Sequence, residues 1–323
     1  MRLTFTIQRL NPEVESRPHD EDYRLEVSRG MTVLEALIRI KHEQDATLAM
    51  RYSCRSAICG SCAMEINGSE KLACRTSVRK EWERHGVITV APLRNLPVIK
   101  DLVVDMTTFW GKVRTVTPWL SSPPQALAET TGPMRLLPGS YQFHNVDACI
   151  LCGACVAACT AHEVSRGFLG PAALAKADRF VSDPRESAQA KRWRLLQLEK
   201  DNGIWDCTRC NFCVQVCPKD VKPMEAIIRL RRAAIAAGLD RTGGARHITG
   251  FTDLVRHEGR LNEALMPLKI LRFSLRRLLH VIPLGIRMFL KGKVPNPFAP
   301  PIEGISQVRA VFDAFLTTGR PGR

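Results

Sequence analysis

Apolar and polar residues alternate at the start of the chain, across Leu3–Ile7, in the period-two pattern of a strand with one buried face. Two later segments, Tyr23–Val27 and Val87–Val90, predict further strands. Between them, the apolar residues of Val33–Gln44 recur at helical spacing, and Asn67-Gly68 is the pair typical of a two-residue hairpin turn. These elements predict an α+β unit of about a hundred residues.

The pattern becomes helical after Pro97. Helices are expected at Leu102–Trp110, Leu136–Tyr141, Pro171–Phe180, Ala188–Leu198 and Met224–Ala237, the last ending at Gly238. Beyond them lies a helical tail whose helices are separated by Pro267, Pro283 and the stretch Pro295–Pro301. Arginines interrupt the most apolar window, Leu265–Leu290, so no transmembrane helix is expected.

The composition is that of a globular protein of about two domains. The chain has 323 residues, of which 45% are hydrophobic and 24% charged, and this balance disfavours both extensive disorder and a polytopic membrane protein. The net charge of +15 is unusual. Residues 221–323 contain 18 Lys and Arg against 7 Asp and Glu, so the basicity is concentrated in the last third.

The twelve cysteines fall into three groups of four. Because Met1–Arg9 lacks the apolar core of a secretory signal, we expect a reducing compartment, where grouped cysteines usually bind metal. The first group, Cys54, Cys59, Cys62 and Cys74, has the plant-type ferredoxin spacing C-x4-C-x2-C-x11-C and predicts a 2Fe-2S cluster. Gly60, Ser61 and Ala63 are small enough to let backbone amides approach its sulfurs. The alternative is a zinc site, although the four-residue gap differs from paired zinc knuckles.

The second and third groups share the bacterial ferredoxin spacing C-x2-C-x2-C-x3-C, in which the fourth cysteine ligates the other cluster. This rule predicts one 4Fe-4S cluster on Cys149, Cys152, Cys155 and Cys217. It predicts a second on Cys159, Cys207, Cys210 and Cys213. Three clusters in one chain indicate electron transfer, and no catalytic residue is expected here.

Cys54–Gly68, with the sequence CRSAICGSCAMEING, closely resembles the iron–sulfur subunit of succinate dehydrogenase and fumarate reductase. The resemblance covers about residues 1–235 and continues at Pro97–Met106, Gly170–Leu174, Arg179-Phe180 and Cys217–Asp220. It implies a β-grasp domain of the plant-type ferredoxin kind followed by an all-α, bacterial-ferredoxin-like domain. It also implies that the chain relays electrons between FAD in a flavoprotein subunit and a quinone site at the membrane.

The chain departs from that family in two places. Family members usually have a non-cysteine residue at the position of Cys210, which leaves their third cluster as 3Fe-4S, so a 4Fe-4S cluster is expected here instead. Members also tend to follow the second group with Pro and two aromatic residues, including a quinone-contacting Trp, where this chain has Thr160–Glu163. His162 is either a polar replacement in that pocket or, as we expect, a surface or hydrogen-bonded histidine.

The C-terminal region resembles a different protein, the small cubane-carrying subunit of heterodisulfide reductase. That resemblance implies a membrane-side partner with cysteine-rich CCG domains in place of a haem-bearing anchor. Ala264–Ile302 contains seven Lys and Arg, no Asp or Glu, and leucines at helical spacing. Such a basic amphipathic helix can lie on an anionic membrane surface, dock on an acidic partner, or pack on its own domain.

We therefore predict an α+β protein with a 2Fe-2S domain (residues 1–105), a helical domain with two cubane clusters (106–238) and a basic docking tail (239–323). The expected function is electron transfer in a succinate dehydrogenase (quinone) or fumarate reductase. The expected location is the cytoplasmic face of the inner membrane, through partner subunits. A heterodisulfide reductase-like or other flavin-dependent dehydrogenase subunit is the alternative. The alternative from a different class is a metal-stabilised nucleic-acid-binding protein, although no reading motif accompanies the positive charge and no nucleic acid is expected as a partner.

Overall fold

The computed structural model describes residues 1–121, 145–271, 275–293, 296, 298 and 300–318. The chain divides into two compact units, Met1–Ala234 and Ile235–Arg323. The expected helix at Leu136–Tyr141 lies outside the described residues. The division into three domains stays a prediction.

The first unit begins with a five-stranded sheet in the order β2-β1-β5-β3-β4. Its strands are β1 (Arg2–Arg9), β2 (His19–Glu26), β3 (Ala63–Ile66), β4 (Ser69–Leu72) and β5 (Ile88–Ala91). β1 pairs with β5 in parallel, and the remaining pairs are antiparallel. The expected hairpin at Asn67-Gly68 joins β3 to β4, with both residues at positive φ.

Two helices accompany this sheet, α1 (Val33–Glu43) and α2 (Val78–His85). Thr32 and Glu35 form a capping box that begins α1 and satisfies backbone donors which the first helical turn leaves unpaired. One face of α1 is fully buried, with Leu37 and Ile40 at 0% exposure beside the equally buried Phe5 and Ile7 of β1. The alternation seen in the sequence therefore places one side of the sheet in the core, as predicted.

The segment after Pro97 corrects one expectation. The helix expected from Leu102 is wrong at its start, because a small hairpin, β6 (Val98–Lys100) and β7 (Val103–Val104), comes first. Asp101 turns the chain at a φ of 46°, and its buried carboxylate accepts hydrogen bonds from the Arg9 side chain and two backbone amides. This distant anchor favours the turn over a helix. The helix α3 runs from Thr107 to Thr115.

The cysteine-rich part of this unit is helical. It contains α4 (Ala154–Ala157), α5 (Thr160–Val164), α6 (Pro171–Val181), α7 (Ala188–Leu198), α8 (Phe212–Gln215) and α9 (Pro223–Ala236). Eight of the eleven residues of α6 are buried, so it is the central helix of this part. The carboxylate of its buried Asp178 forms an ion pair with the Arg229 guanidinium of α9, with an N–O distance of 2.6 Å. This ion pair connects α6, which precedes the third cysteine group, to α9, which follows it.

Asn95 fastens the cysteine-rich part to the sheet domain. Its side-chain amide donates to the carbonyl oxygens of Val156, Ala157 and Cys159 at 2.9–3.2 Å. Its backbone carbonyl oxygen accepts a hydrogen bond from the Arg166 side chain. Arg75, next to Cys74, donates to the carbonyl oxygen of Pro218 at 3.0 Å. The bond of Arg75 connects the segment beside Cys74 of the first group to the segment beside Cys217 of the third.

The second unit contains α10 (Gly243–Glu258), α11 (Met266–Leu271), α12 (Leu275–Leu290) and α13 (Ile305–Thr318). Ion pairs join α10 to α11 through Asp253 and Lys269, and to α13 through Arg256 and Asp313. The expectation that Pro283 separates two helices is wrong, whereas Pro267 does mark the start of a helix. Pro267 lies in the first turn of α11, where its missing N–H has no helical partner, and Pro283 lies inside α12. In the described part of the chain, no helix has the length and apolar character needed to cross a bilayer.

Candidate cluster sites

The first cysteine group lies on a loop between α1 and β3, with Cys74 returning in a 3-10 turn after β4. The sulfur of Cys54 accepts backbone hydrogen bonds from Ser56, Ile58 and Cys59 at 3.3–3.4 Å. The Ala57 amide donates to the sulfur of Cys74 at 3.3 Å. Arg55 and Ala57, at φ values of 57° and 55°, turn these amides inward. The loop therefore surrounds its sulfurs with donors, which stabilise negative charge.

The thiols of this loop differ in their electrostatic surroundings. Hydrogen bonds from the Ser61 hydroxyl and the Cys54 backbone lower the pKa of Cys59 to about 6. Burial is the main reason that the pKa of Cys62 is raised to about 12. The charges of Cys74 and Cys59 contribute to the same increase. Four neighbouring thiolates repel one another in such a site, so their joint ionisation requires a compensating positive charge, which iron supplies.

The second site draws cysteines from two distant segments. Cys149, Cys152, Cys155 and Cys217 line one small cavity of about 20 Å³. Most of its remaining lining is apolar, including Ile150, Leu151, Ala172, Ala175 and Val221. Desolvation and the neighbouring thiols raise the pKa of Cys155 well above its ordinary value. Cys217, from the third group, therefore lines the same cavity as three cysteines of the second group.

The third set, Cys159, Cys207, Cys210 and Cys213, also comes together. The pKa of Cys213 is raised to about 12. Burial is the main cause, and the thiols of Cys207, Cys159 and Cys210 contribute to the same increase. The Thr160 hydroxyl lies 3.6 Å from the sulfur of Cys210, which is exposed. Thr160 also lines an open cleft of about 370 Å³, together with Glu163 and Phe212. The third site is therefore the one that reaches the surface beside a cleft.

The second and third groups adopt the same local backbone, which agrees with their shared spacing. In the second, Leu151 and Gly153 have φ values of 55° and 85°, and a short helix, α4, follows. In the third, Arg209 and Asn211 have φ values of 59° and 71°, and α8 follows. Paired left-handed residues direct successive amides toward one side, where they can donate to sulfur. The internal repeat is thus structural as well as sequential.

The first loop touches the second site through Gly60. A β-carbon at Gly60 would lie 2.8 Å from Cβ of Cys152 and 3.2 Å from the carbonyl oxygen of Ile150. Gly60 also has a φ of 76°, which other residues rarely adopt. In turn, the thiol of Cys213 raises the pKa of Cys155, so the second and third sites are also neighbours. The three cysteine sets therefore form a continuous series.

His162 differs from its expected surroundings, because it is only 5% exposed and only partly hydrogen-bonded. Its Nε2 accepts a hydrogen bond from Nζ of Lys112 at 2.8 Å, whereas its Nδ1 has no partner among the described atoms. Burial lowers the pKa of His162 to about 4, and the charges of Lys112 and Arg166 reinforce this. The imidazole is therefore neutral and packed inside the domain.

Two further residues beside the cysteines were not identified from the sequence. Lys112 of α3 also donates to the carbonyl oxygens of Arg166 and Phe168. The buried Arg231 of α9 donates to the carbonyl oxygens of Ile204, Trp205 and Cys207 at 2.7–3.1 Å. No local pattern marks these two cations, because their carbonyl partners lie far away in sequence.

The donor set fits iron–sulfur clusters. All twelve ligand candidates are thiols without a disulfide partner, and they occur in three convergent sets with amide donors around them. Nowhere in the described ranges do three or more His, Cys, Asp or Glu side chains meet in the arrangement of a single-ion site. A cluster needs a wider separation of its thiolates than a single ion does, because irons and sulfides lie between them. The four thiols of the second site line a common, mostly apolar cavity.

Comparison with known proteins agrees with this arrangement. Residues 4–111 match the family described as a 2Fe-2S iron-sulfur cluster binding domain, and residues 145–221 match the family described as a 4Fe-4S dicluster domain. In structure, the chain is similar to a chain of the Mycobacterium smegmatis Sdh1 complex in the apo form. The TM-score is 0.64 with 28% sequence identity, over 73% of this chain and 96% of that chain.

Whole-chain relatives are similar over most of their length. The fumarate reductase iron-sulfur subunit of Mycobacterium tuberculosis is 38% identical over 241 residues, which cover 74% of this chain and 96% of the relative. The corresponding subunit of Escherichia coli O6:H1 is 37% identical, over 70% of this chain and 90% of the relative. Mitochondrial succinate dehydrogenase iron-sulfur subunit 1 of Oryza sativa is 37% identical, over 72% and 83%. The chain therefore belongs to the family of iron–sulfur electron-transfer subunits of fumarate reductase and succinate dehydrogenase.

Proposed function

We propose that this chain relays single electrons between FAD in a separate flavoprotein subunit and an acceptor at the membrane, through three iron–sulfur clusters. When bound, such clusters accept and donate one electron at a time. The observation that carries the proposal is the packing of Gly60 against Cys152, which brings the first cysteine loop into direct contact with the second site. The protein's part is to hold these sites close together and surround them with amide donors.

Three ligand sets follow from the grouping of the thiols. We assign Cys54, Cys59, Cys62 and Cys74 to a 2Fe-2S cluster, which the backbone donors around Cys54 and Cys74 support. Cys149, Cys152, Cys155 and Cys217 are assigned to a 4Fe-4S cluster, supported by their shared cavity. Cys159, Cys207, Cys210 and Cys213 are assigned to a second 4Fe-4S cluster, supported by their mutual effects on thiol pKa.

Cys210 decides the type of the third cluster. Hydrogen bonds from the Phe212 amide and from the Thr160 and Thr208 hydroxyls lower its pKa, although desolvation alone would raise it. A thiol stabilised as thiolate in this way is ready to bind a fourth iron. Because cluster type and charge affect the reduction potential, a cubane here also changes which acceptors are favourable.

The two ends of the relay face different partners. Ile58, on the first cysteine loop, is 65% exposed, and we propose that it contacts the flavoprotein subunit. Ala57 beside it is half-buried and contributes less surface than the sequence suggested. At the other end, the cleft beside Thr160 and Phe212 is the approach of the acceptor, a quinone or a CCG-domain subunit. Glu163 gives that cleft a polar wall. Because His162 is buried, we assign no quinone contact to it.

We further propose the division into a 2Fe-2S domain (1–105), a dicluster domain (106–238) and a docking tail (239–323). The matched families, at residues 4–111 and 145–221, support the first two parts. The proposed location is the cytoplasmic face of the inner membrane, where partner subunits hold the chain. The basic tail supports contact with a membrane-side component.

The test is anaerobic co-expression of the chain with its candidate flavoprotein subunit. We expect about ten iron atoms per chain, from one 2Fe-2S and two 4Fe-4S clusters, and bleaching of their visible absorption when succinate is added. A Cys62→Ser variant should lose the 2Fe-2S signal and succinate-driven bleaching, yet keep dithionite-reducible cubanes. Colourless protein containing zinc would overturn the cluster assignment. A coloured complex that neither succinate reduces nor fumarate reoxidises would overturn the assigned reaction.

A further inference from the structure

The helix α12 (Leu275–Leu290) gathers five exposed apolar residues on one side, whereas the exposed Leu284 and Met288 lie on the side of Arg287. At about 100° per residue, Leu279, Ile282, Ile286, Phe289 and Leu290 share one side of the helix. Arg287 and Lys291 follow the same spacing on the other side.

The apolar side of α12 is open to solvent. Leu279 and Ile286 are 58% and 55% exposed, and Phe289 and Leu290 are 72% and 77% exposed. Isolated exposed apolar residues are common on soluble proteins, but a contiguous stripe of large ones marks an interaction surface. The stripe runs over three helical turns, so it presents an extended surface and not a single anchor.

Charge identifies the occupant of this surface. Ala264–Ile302 contains Lys269, Arg272, Arg276, Arg277, Arg287, Lys291 and Lys293 and no acidic residue. Of these, Lys269 is paired with Asp253 within its own unit, whereas Arg287 of α12 and Lys291, directly after the helix, are exposed. A segment of one sign suits a uniformly anionic surface.

We propose that α12 lies in the interface of an anionic phospholipid bilayer, with its apolar side inserted and its cations at the headgroups. At 16 residues the helix is about 24 Å long, shorter than the roughly 30 Å hydrocarbon core. Arg287 also lies within it. Amphipathic helices with Phe and Leu on one side and Lys and Arg on the other adopt this in-plane position. This contact is additional to any partner subunit and requires no electron transfer.

The test is flotation of the purified full chain with vesicles of phosphatidylcholine alone or with 30% phosphatidylglycerol. We expect binding to the anionic vesicles, weaker binding to the neutral ones, and release in 1 M salt, where the Debye length falls to about 3 Å. Arg287→Glu/Lys291→Glu should weaken the anionic partition by at least about 25-fold, at roughly fivefold per cation lost. Arg17→Glu/Arg29→Glu makes the same charge change on exposed turns of the first unit and should bind as the wild type does.

A second pair of variants examines the apolar side. Ile286→Ser/Phe289→Ser should also lose vesicle binding, whereas Val311→Ser, at a residue 69% exposed on α13, should retain it. Because all these positions are exposed, the substitutions leave the core unchanged. Three results would overturn the proposal: equal flotation with neutral vesicles, unchanged flotation of the charge-reversed variant, or binding only when a membrane-side protein subunit is present. The last would identify a protein groove as the occupant.

Discussion

Gly60 lies so close to Cys152 that no side chain fits between them: a β-carbon at residue 60 would be 2.8 Å from Cβ of Cys152. This contact joins the loop of the first cysteine group to the second. The absence of a side chain at residue 60 is thus explained by one neighbour on a distant segment. The same contact motivates the first prediction.

We expect Gly60→Ala to destabilise the junction and to slow electron transfer from the first cluster to the second. The added methyl must displace either Cys152 or the loop, at a cost of about 1–3 kcal/mol. Stopped-flow reduction by succinate in the complex would show reduction of the 2Fe-2S cluster outpacing that of the cubanes. Gly86→Ala is the control, because Gly86 also has a positive φ (71°) but no atom within 4 Å of its β-position. Equal rates in the two variants would refute the role of this contact.

The second prediction concerns Cys210. Cys210→Ile removes one thiolate from the third set, so the oxidised variant should show a stoichiometric 3Fe EPR signal that the wild type lacks. Thr160→Val removes only the hydroxyl 3.6 Å from the Cys210 sulfur. It should keep the cubane and lower its reduction potential, since hydrogen bonds to sulfur help set that potential. A stoichiometric 3Fe signal in anaerobically prepared wild type would mean that Cys210 is no ligand.

The third prediction concerns the flavoprotein contact. Ile58→Asp places a charge at a residue that is 65% exposed on the first cysteine loop. Co-purification of the FAD-containing subunit should fall at least tenfold, because desolvating a carboxylate at an apolar interface costs more than about 1.4 kcal/mol. Val14→Asp, at a residue 77% exposed elsewhere in the first unit, is the matched control. Undiminished co-purification of the Ile58 variant would place the flavoprotein elsewhere.

Asn95 provides the fourth prediction. Asn95→Asp replaces an amide donor by a carboxylate facing the carbonyl oxygens of Val156, Ala157 and Cys159. We expect a loss of about 3 kcal/mol in unfolding free energy, because the carbonyls lose their donor and meet a negative charge. Asn95→Gly keeps the positive φ (64°) but removes only the donor, so its loss should be smaller. Thermal unfolding at matched iron content would rank the variants, and the reverse order would contradict the assigned bonds.

The fifth prediction concerns acid stability. Asp183 is fully buried, and hydrogen bonds from Arg185 and Arg179 hold its pKa well below the ordinary value, against the desolvation that raises it. Since the folded pKa is depressed, its stabilisation is complete above the unfolded pKa of about 4 and is lost as the pH falls further. Asp183→Asn should therefore cost about 3 kcal/mol at pH 7 and progressively less below pH 4. Urea unfolding at pH 7 and pH 3 measures both values, and a cost independent of pH would exclude this origin. Asp147→Asn, at an exposed position, is the control.

Much of the first unit is predictable from local pattern. The alternation at β1, the helical spacing of α1 and the Asn67-Gly68 turn each correspond to an observed element. The helix Ala188–Leu198 was predicted with its observed ends. These features depend on neighbouring residues only. The cysteine spacing is also a local feature, because a loop that wraps a cluster needs its ligands at fixed short separations along the chain.

Other features depend on contacts between distant segments. The hairpin at β6 and β7 replaces an expected helix because Asp101 is anchored by Arg9, 92 residues away in sequence. His162 is buried because Lys112 reaches it from another helix. Pro283 sits within α12, where the sequence suggested a break.

The family resemblance, the three groups of cysteines and the basic amphipathic character of the tail can all be recognised without a structure. The contact of Gly60 with Cys152 and the exposure of the apolar side of α12 became visible only in the folded chain. The physical reason is that spacing and periodicity record interactions along the chain. Packing between segments far apart in sequence depends on shapes and charges that meet only after folding.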